Sequence, residues 1–343
     1  MTQRLLPGLA RLAPQLVALA VILALCAAIS PGFFDVSVQN GRLYGSIIDV
    51  LNRGAPVALL AIGMTLVIAT KGIDLSVGAV MAITGAVAAA MITSGYGIVL
   101  TLAGALGVGV LCGLWNGALV AVLAIQPIIA TLILMVAGRG IAQLITEGVI
   151  LTFNDPTLIF FGSGHIFGVP MPILLWIMLG ALVVLVVRTS ALGMLIEAVG
   201  TNRRASMLAG VGTTFLLFSV YAASGLCAGV AGIIAAADIR GADANNAGLW
   251  LELDAILAVV IGGTSLLGGR FSIIGSLIGA MIIQSVNTGI LLSGFPPEFN
   301  LIIKAAIIVV ILVVQSPSSR EAMAFFTRKR EPATEPRKER AVS

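Results

Sequence analysis

Apolar residues run along the chain in long blocks separated by short polar stretches. Read as helices, the blocks fall at about 15–34, 55–70, 75–93, 98–125, 128–146, 171–187, 212–236, 254–267, 271–293 and 300–315. Crossing a bilayer takes roughly 20 such residues. The 98–125 block is long enough to be tilted or broken, and the 254–267 block is short for a full crossing. Nothing alternates in the ten-residue strands of a membrane barrel. The pattern predicts an all-α polytopic membrane protein of about ten transmembrane helices, some broken or short.

Composition agrees. The 343 residues are 59% hydrophobic and 10% charged, against about 45–50% and about 25% in soluble domains. Residues 320–343 alone hold seven Lys/Arg and four Glu. The net charge of +4 is therefore mostly a basic tail, which excludes a nucleic-acid partner and fits a positive-inside end. The 188–211 loop carries Arg188, Arg203 and Arg204 against Glu197, while the loops near 35–54, 147–170 and 237–253 hold only Arg42, Arg53 and Arg240. An N-in, C-in orientation with an even number of spans satisfies that bias. The chain divides into a cytoplasmic segment 1–14, a transmembrane domain 15–315 in membrane lipid, and a basic cytoplasmic tail 316–343. The run Leu16 to Ile29 behind Arg4 and Arg11 reads as an uncleaved first span.

Catalytic chemistry is thinly supplied. Cys26, Cys112 and Cys227 lie inside apolar runs without metal or disulfide spacing. His165 is the single histidine, so no metal site is expected. No Gly-Lys-Ser/Thr occurs, so the chain has no P-loop of its own and is not expected to be an enzyme. The in-span candidates for a proton relay are Arg139 and Lys304, with Lys71 and Asp74 near span ends.

Three local patterns stand out. Glycines at four-residue spacing (Gly109, Gly113 and Gly117; Gly225 and Gly229 with Gly232; Gly275 and Gly279) form ridges that permit close helix crossing. Residues 58–78 and 255–275 share a layout of apolar span, glycine with a cation, and a serine opening the next span, a candidate internal repeat. In "KGIDLSVG", Lys71 closes one span, Gly72 suits a left-handed cap, and Asp74 or Ser76 caps the next. Two readings stay open for this helix break: capping alone, or a part in gating or subunit contact.

The loop 188–211 reads as short helix, turn, short helix. Gly200 breaks it, and Thr201 or Asn202 caps the second helix. Met194, Leu195, Ala198 and Val199 give an apolar side, Glu197, Arg203 and Arg204 a charged one. That composition suits docking on a soluble partner, or a solvated connector.

"EAVGTNRRASMLAGV", "KGIDLSVGAVMAI" and "AVVIGGTSLLGGRFS" together resemble the ribose-type sugar permeases of ATP-binding-cassette importers, over residues of about 50–315. The departure is Lys71, where that family's signature usually has glycine. Within the family, "IRGADANNAGLWLELDAILAVVIGG" and "NTGILLSGFPPE" are most similar to the galactofuranose-type members. The resemblance implies a permease subunit forming the path for a monosaccharide. It implies four further things: a periplasmic sugar-binding protein, a two-module ATPase subunit that holds ATP and magnesium, a second permease subunit (sister or self), and a place in the bacterial inner membrane. On this reading Glu197, Ala198, Gly200, Asn202, Arg203 and Ala205 form the ATPase coupling loop. Asp243, Asn245, Asn246 and Trp250 line the sugar path or meet the binding protein, with amide and carboxylate groups for hydroxyls and an indole for a sugar face. An ion-coupled secondary transporter with broken helices is the alternative, and a receptor or scaffold a third class.

Overall fold

The computed structural model describes residues 6–39 and 41–294, with Phe299, Leu301, Ile302, Ala305, Ala306 and Val309 beyond them. Most of the 300–315 span, Lys304 and the tail 316–343 lie outside the described residues. The described chain runs α1 (Leu6–Ile29), β1 (Ser37–Gln39), β2 (Arg42–Tyr44), α2 (Ser46–Arg53), α3 (Ala55–Ala69), α4 (Val77–Thr93), α5 (Ile98–Ala121) and α6 (Pro127–Ile145). There follow β3 (Leu151–Thr152), α7 (Pro156–Ser163), β4 (His165–Ile166), β5 (Val169–Pro170), α8 (Met171–Thr189), α9 (Leu192–Thr201), α10 (Arg203–Leu208), α11 (Thr213–Ile239), β6 (Gly241–Ala242), α12 (Leu251–Ile261) and α13 (Ile273–Leu292).

Among the described residues, six helices are long and apolar enough to cross a membrane. Taken together as one span, α2 and α3, bent by 43°, would make a seventh. The bend follows from Gly54 and Pro56, since a proline at the start of α3 has no N–H to continue α2. The 98–125 block is one unbroken helix to Ala121, so its length reflects a following turn and not a kink. The 254–267 block is a half-span: α12 has 11 residues, about 16 Å at 1.5 Å per residue, against a hydrocarbon core of about 30 Å.

Every residue of α3 except Pro56 is buried. A helix apolar all round belongs at the centre of a bundle, and α8, α11, α12 and α13 pack around it. The glycine ridges explain how tightly. A Cβ on Gly109 would lie 2.7 Å from the Gly225 carbonyl oxygen, and one on Gly225 would overlap that of Gly109. Gly275 and Gly279 meet Gly262 and Ala258 in the same way, which sets α13 against α12. By contrast α1 and α8 turn exposed apolar faces outward, Val17, Val21 and Leu25 on one and Met178, Leu182 and Leu185 on the other.

The loops sort to two ends as their charges predict. Leu43 donates to the Gly168 carbonyl (3.0 Å), and Leu151 pairs with Ala242 across β3 and β6. These ties gather 35–54, 147–170 and 237–253 at one end. At the other, Arg203 in the 188–211 loop reaches the Ala121 carbonyl at the end of α5 (3.3 Å).

Candidate functional site

Four peptide units end α3 in a Schellman arrangement. Gly72 N donates to the Val67 carbonyl (3.0 Å) and Lys71 N to that of Ile68 (2.9 Å). The left-handed residue is Lys71, at φ 64°, not Gly72 as the sequence suggested. Gly72 is needed for space instead: a Cβ there would sit 2.7 Å from the Tyr221 hydroxyl and 2.9 Å from Val67.

Lys71 and Asp74 do not pair. Lys71 is exposed, and its Nζ donates to the Thr201 carbonyl, the last of α9 (3.0 Å). A cation there complements the helix C-terminus. Asp74 is 2% exposed. Its Oδ1 accepts from Ser76 N (3.1 Å), Ser76 Oγ (2.6 Å) and Asn116 Nδ2 (3.4 Å), and its Oδ2 from Ser224 Oγ (2.9 Å). Burying a carboxylate is costly unless donors replace its water, and here they come from the break itself, from α5 and from α11. Thr131 of α6 adds a fourth tie, accepting from Leu75 N and donating to the Ile73 carbonyl (both 3.1 Å). Ser76 stands at the α4 N-cap position without a side-chain cap bond; its hydroxyl goes to Asp74.

The coupling-loop candidates divide by exposure. Gly200 does not break the loop: it is buried inside α9, and a Cβ there would overlap the Ala69 carbonyl. The break falls at Asn202, whose Oδ1 accepts from Ala205 N (3.0 Å) and caps α10. Val199 packs inward, whereas Ala198, Ala205, Met194 and Met207 are exposed. Glu197 is half-buried, and Arg203 is half-buried and turned to α5. The loop between α12 and α13 meets the same point, as Gly269 N donates to the Ala69 carbonyl (2.9 Å). The two halves of the candidate repeat therefore touch at their breaks, with α9 laid across both.

At the opposite end, residues 243–250 fold inward. Gly248 lies against Gly78 at the start of α4, so close that neither tolerates a Cβ. Arg139 of α6 holds this loop through the carbonyls of Ala244 (3.0 Å) and Ala247 (2.6 Å), which gives the in-span cation a positioning job. Asp243 accepts from the backbone N–H of Asn245 (3.0 Å) and Asn246 (3.1 Å) and from Asn246 Nδ2 (2.8 Å). The Asn246 side-chain donor holds the Asp243 carboxyl below the ordinary carboxylate range. Asn245 Oδ1 accepts from Gln143 (2.8 Å). Much of the polar capacity offered to sugar hydroxyls is thus engaged within the loop. Trp250 stays free to stack: it is 56% exposed, at φ 66° before α12.

Residues 46–312 match the family described as "Branched-chain amino acid transport system / permease component". The chain belongs to this permease family. It is 63% identical over 303 residues to the galactofuranose transporter permease protein YtfT of Escherichia coli (strain K12), covering 88% of this chain and 89% of that one. It is 42% identical to the fructose import permease protein FruF of Bifidobacterium longum (92% and 90% covered). It is 39% identical to the ribose import permease protein RbsC of Escherichia coli (strain K12) (88% and 92%).

The sequence reading of this permease missed Asn116, Thr131 and Ser224, the hydroxyl and amide partners of the break. The signal for Asn116 was present: an amide in the middle of an apolar run wants a buried partner. Ser224 and Thr131 carried none, because helical serine and threonine can satisfy themselves on the preceding turn.

Proposed function

We propose that the chain is the transmembrane permease subunit of an ATP-binding-cassette importer whose cargo is galactofuranose. The observation that carries the cargo is the 63% identity, spread over 88% of the chain, to a galactofuranose transporter permease. Fructose and ribose permeases at 42% and 39% support a monosaccharide as the wider class.

A separate two-module ATPase binds ATP and magnesium, a periplasmic protein delivers the sugar, and a second permease subunit completes the path. The geometry supports this division of labour. Met194, Ala198, Ala205 and Met207 present an exposed, mostly apolar surface on α9 and α10, suited to a groove on a soluble partner. Behind that surface, Gly200 and Lys71 join α9 to the α3–α4 break. A push on α9 is thereby delivered to a helix break that Asp74 ties to α5 and α11. Trp250 and the 243–250 loop meet the sugar or its binding protein at the far end. Selectivity resides mainly in that binding protein, because the loop's own polar groups are largely taken.

The test is uptake of labelled galactofuranose into proteoliposomes holding both permeases and the ATPase, with the binding protein outside. ATP-dependent uptake, competed weakly by ribose, is expected. Uptake driven by an ion gradient without ATP would overturn the reading in favour of a secondary transporter.

A further inference from the structure

A cavity of about 240 Å³ opens beside the break. It is smaller than the roughly 300–1,000 Å³ of drug-sized sites, with room for one small ligand. Its lining includes Lys71, Arg203, Thr70, Gln126 and Tyr221, and none of its lining residues is acidic. Lys71 and Arg203 each spend a donor on a helix-end carbonyl, Thr201 and Ala121. An ammonium has three donors and a guanidinium five, so others remain. Gln126 and Pro127 bring the N-terminus of the 19-residue α6 to the same wall, where the positive end of the helix dipole favours an anion. Independently, the Tyr221 hydroxyl is buried and has no hydrogen-bond partner, and Tyr221 itself is fully buried. A buried hydroxyl left without an acceptor is costly, and a ligand oxygen would supply one. Asp74, the nearby carboxylate, is not in the lining, and both its oxygens are already engaged.

We propose that this cavity is a binding site for the phosphate group of a small phosphate-bearing anion, held by Lys71, Arg203, Tyr221 and the α6 N-terminus. Because the cavity is walled by both the break and Val199 of α9, an occupant would bridge the coupling loop to the helix break. The choice of soluble ligand rests on the sugar-import reading: it is a phosphate ester made from the imported sugar.

The test uses the purified transporter complex without transport. Calorimetric titration with inorganic phosphate and with galactose 6-phosphate should show saturable binding. Binding should weaken at least tenfold in Lys71→Gln and in Arg203→Gln, and should weaken in Tyr221→Phe, which only removes the hydroxyl. A parallel titration in nanodiscs with and without phosphatidylglycerol identifies the source. Loss of soluble-ligand binding only when that lipid is present means a lipid headgroup fills the site; binding in both means a soluble ester does. Absence of saturable binding of any phosphate species, or binding indifferent to all three substitutions, would overturn the proposal. Because no uptake is measured, failure here leaves the import reading untouched, and failure of import leaves this result readable.

Discussion

At the scale of single residues, Lys71 sets two opposed effects against each other. Its left-handed backbone costs roughly 1–2 kcal/mol for a residue with a Cβ. Its bond to the Thr201 carbonyl returns about 1 kcal/mol at an exposed site. Lys71→Ala keeps the strain and loses the bond; Lys71→Gly loses both. The glycine variant should therefore be the more stable of the two by about 1 kcal/mol, read as the higher midpoint in thermal unfolding of the detergent-solubilised protein. Equal midpoints would mean that the strain is absent. Ser224→Ala isolates the other charge. It leaves Asp74 Oδ2 without its donor in a dry site, at a loss of about 1–3 kcal/mol. If Ser224→Ala is as stable as the parent, Oδ2 has another donor.

At the scale of elements, the structure changes what a mutation at Gly200 means. The sequence placed Gly200 at the break of the 188–211 loop. Buried against the Ala69 carbonyl, it has no space, so Gly200→Asp should abolish assembly, visible as loss of the monodisperse peak in size-exclusion chromatography. Ala205 is the cleaner probe because it is exposed on α10: Ala205→Glu should insert and fold normally while ATP-driven uptake falls at least tenfold. Normal uptake in Ala205→Glu would remove α10 from the docking surface. The inward loop gives a second element-scale expectation. Arg139→Gln removes the charged clamp on Ala244 and Ala247, and amide exchange across 243–250 should speed up several-fold. Element existence was legible in the apolar blocks, as were the glycine ridges, whose spacing predicted close helix crossing. What the blocks could not express was partner choice. Nothing in 58–78 says that its break would abut Gly269, because that contact depends on backbone groups that every residue has.

The whole molecule was legible through charge. Sparse arginines in 35–54, 147–170 and 237–253 put those loops at one end, and the structure joins them there through short backbone ladders. Phe167→Cys and Leu208→Cys, each in a background lacking the native thiols, test the sidedness. The first should react with a membrane-impermeant maleimide from outside, the second only after permeabilisation. Labelling of both from one side would contradict the N-in, C-in arrangement. The site chemistry was the least legible layer. Asn245, Asn246 and Asp243 looked like ligand groups because their types suit sugars, yet the structure shows them hydrogen-bonded to one another and to Gln143.

The Ala69 carbonyl accepts from Gly269 while Gly200 of α9 rests against it. A single oxygen thus serves three segments far apart in the sequence. The consequence is genetic. A damaged α9 need not be repaired within itself, and second-site suppressors of a mild lesion at Thr201 or Val199 should map to 70–72 and 268–270.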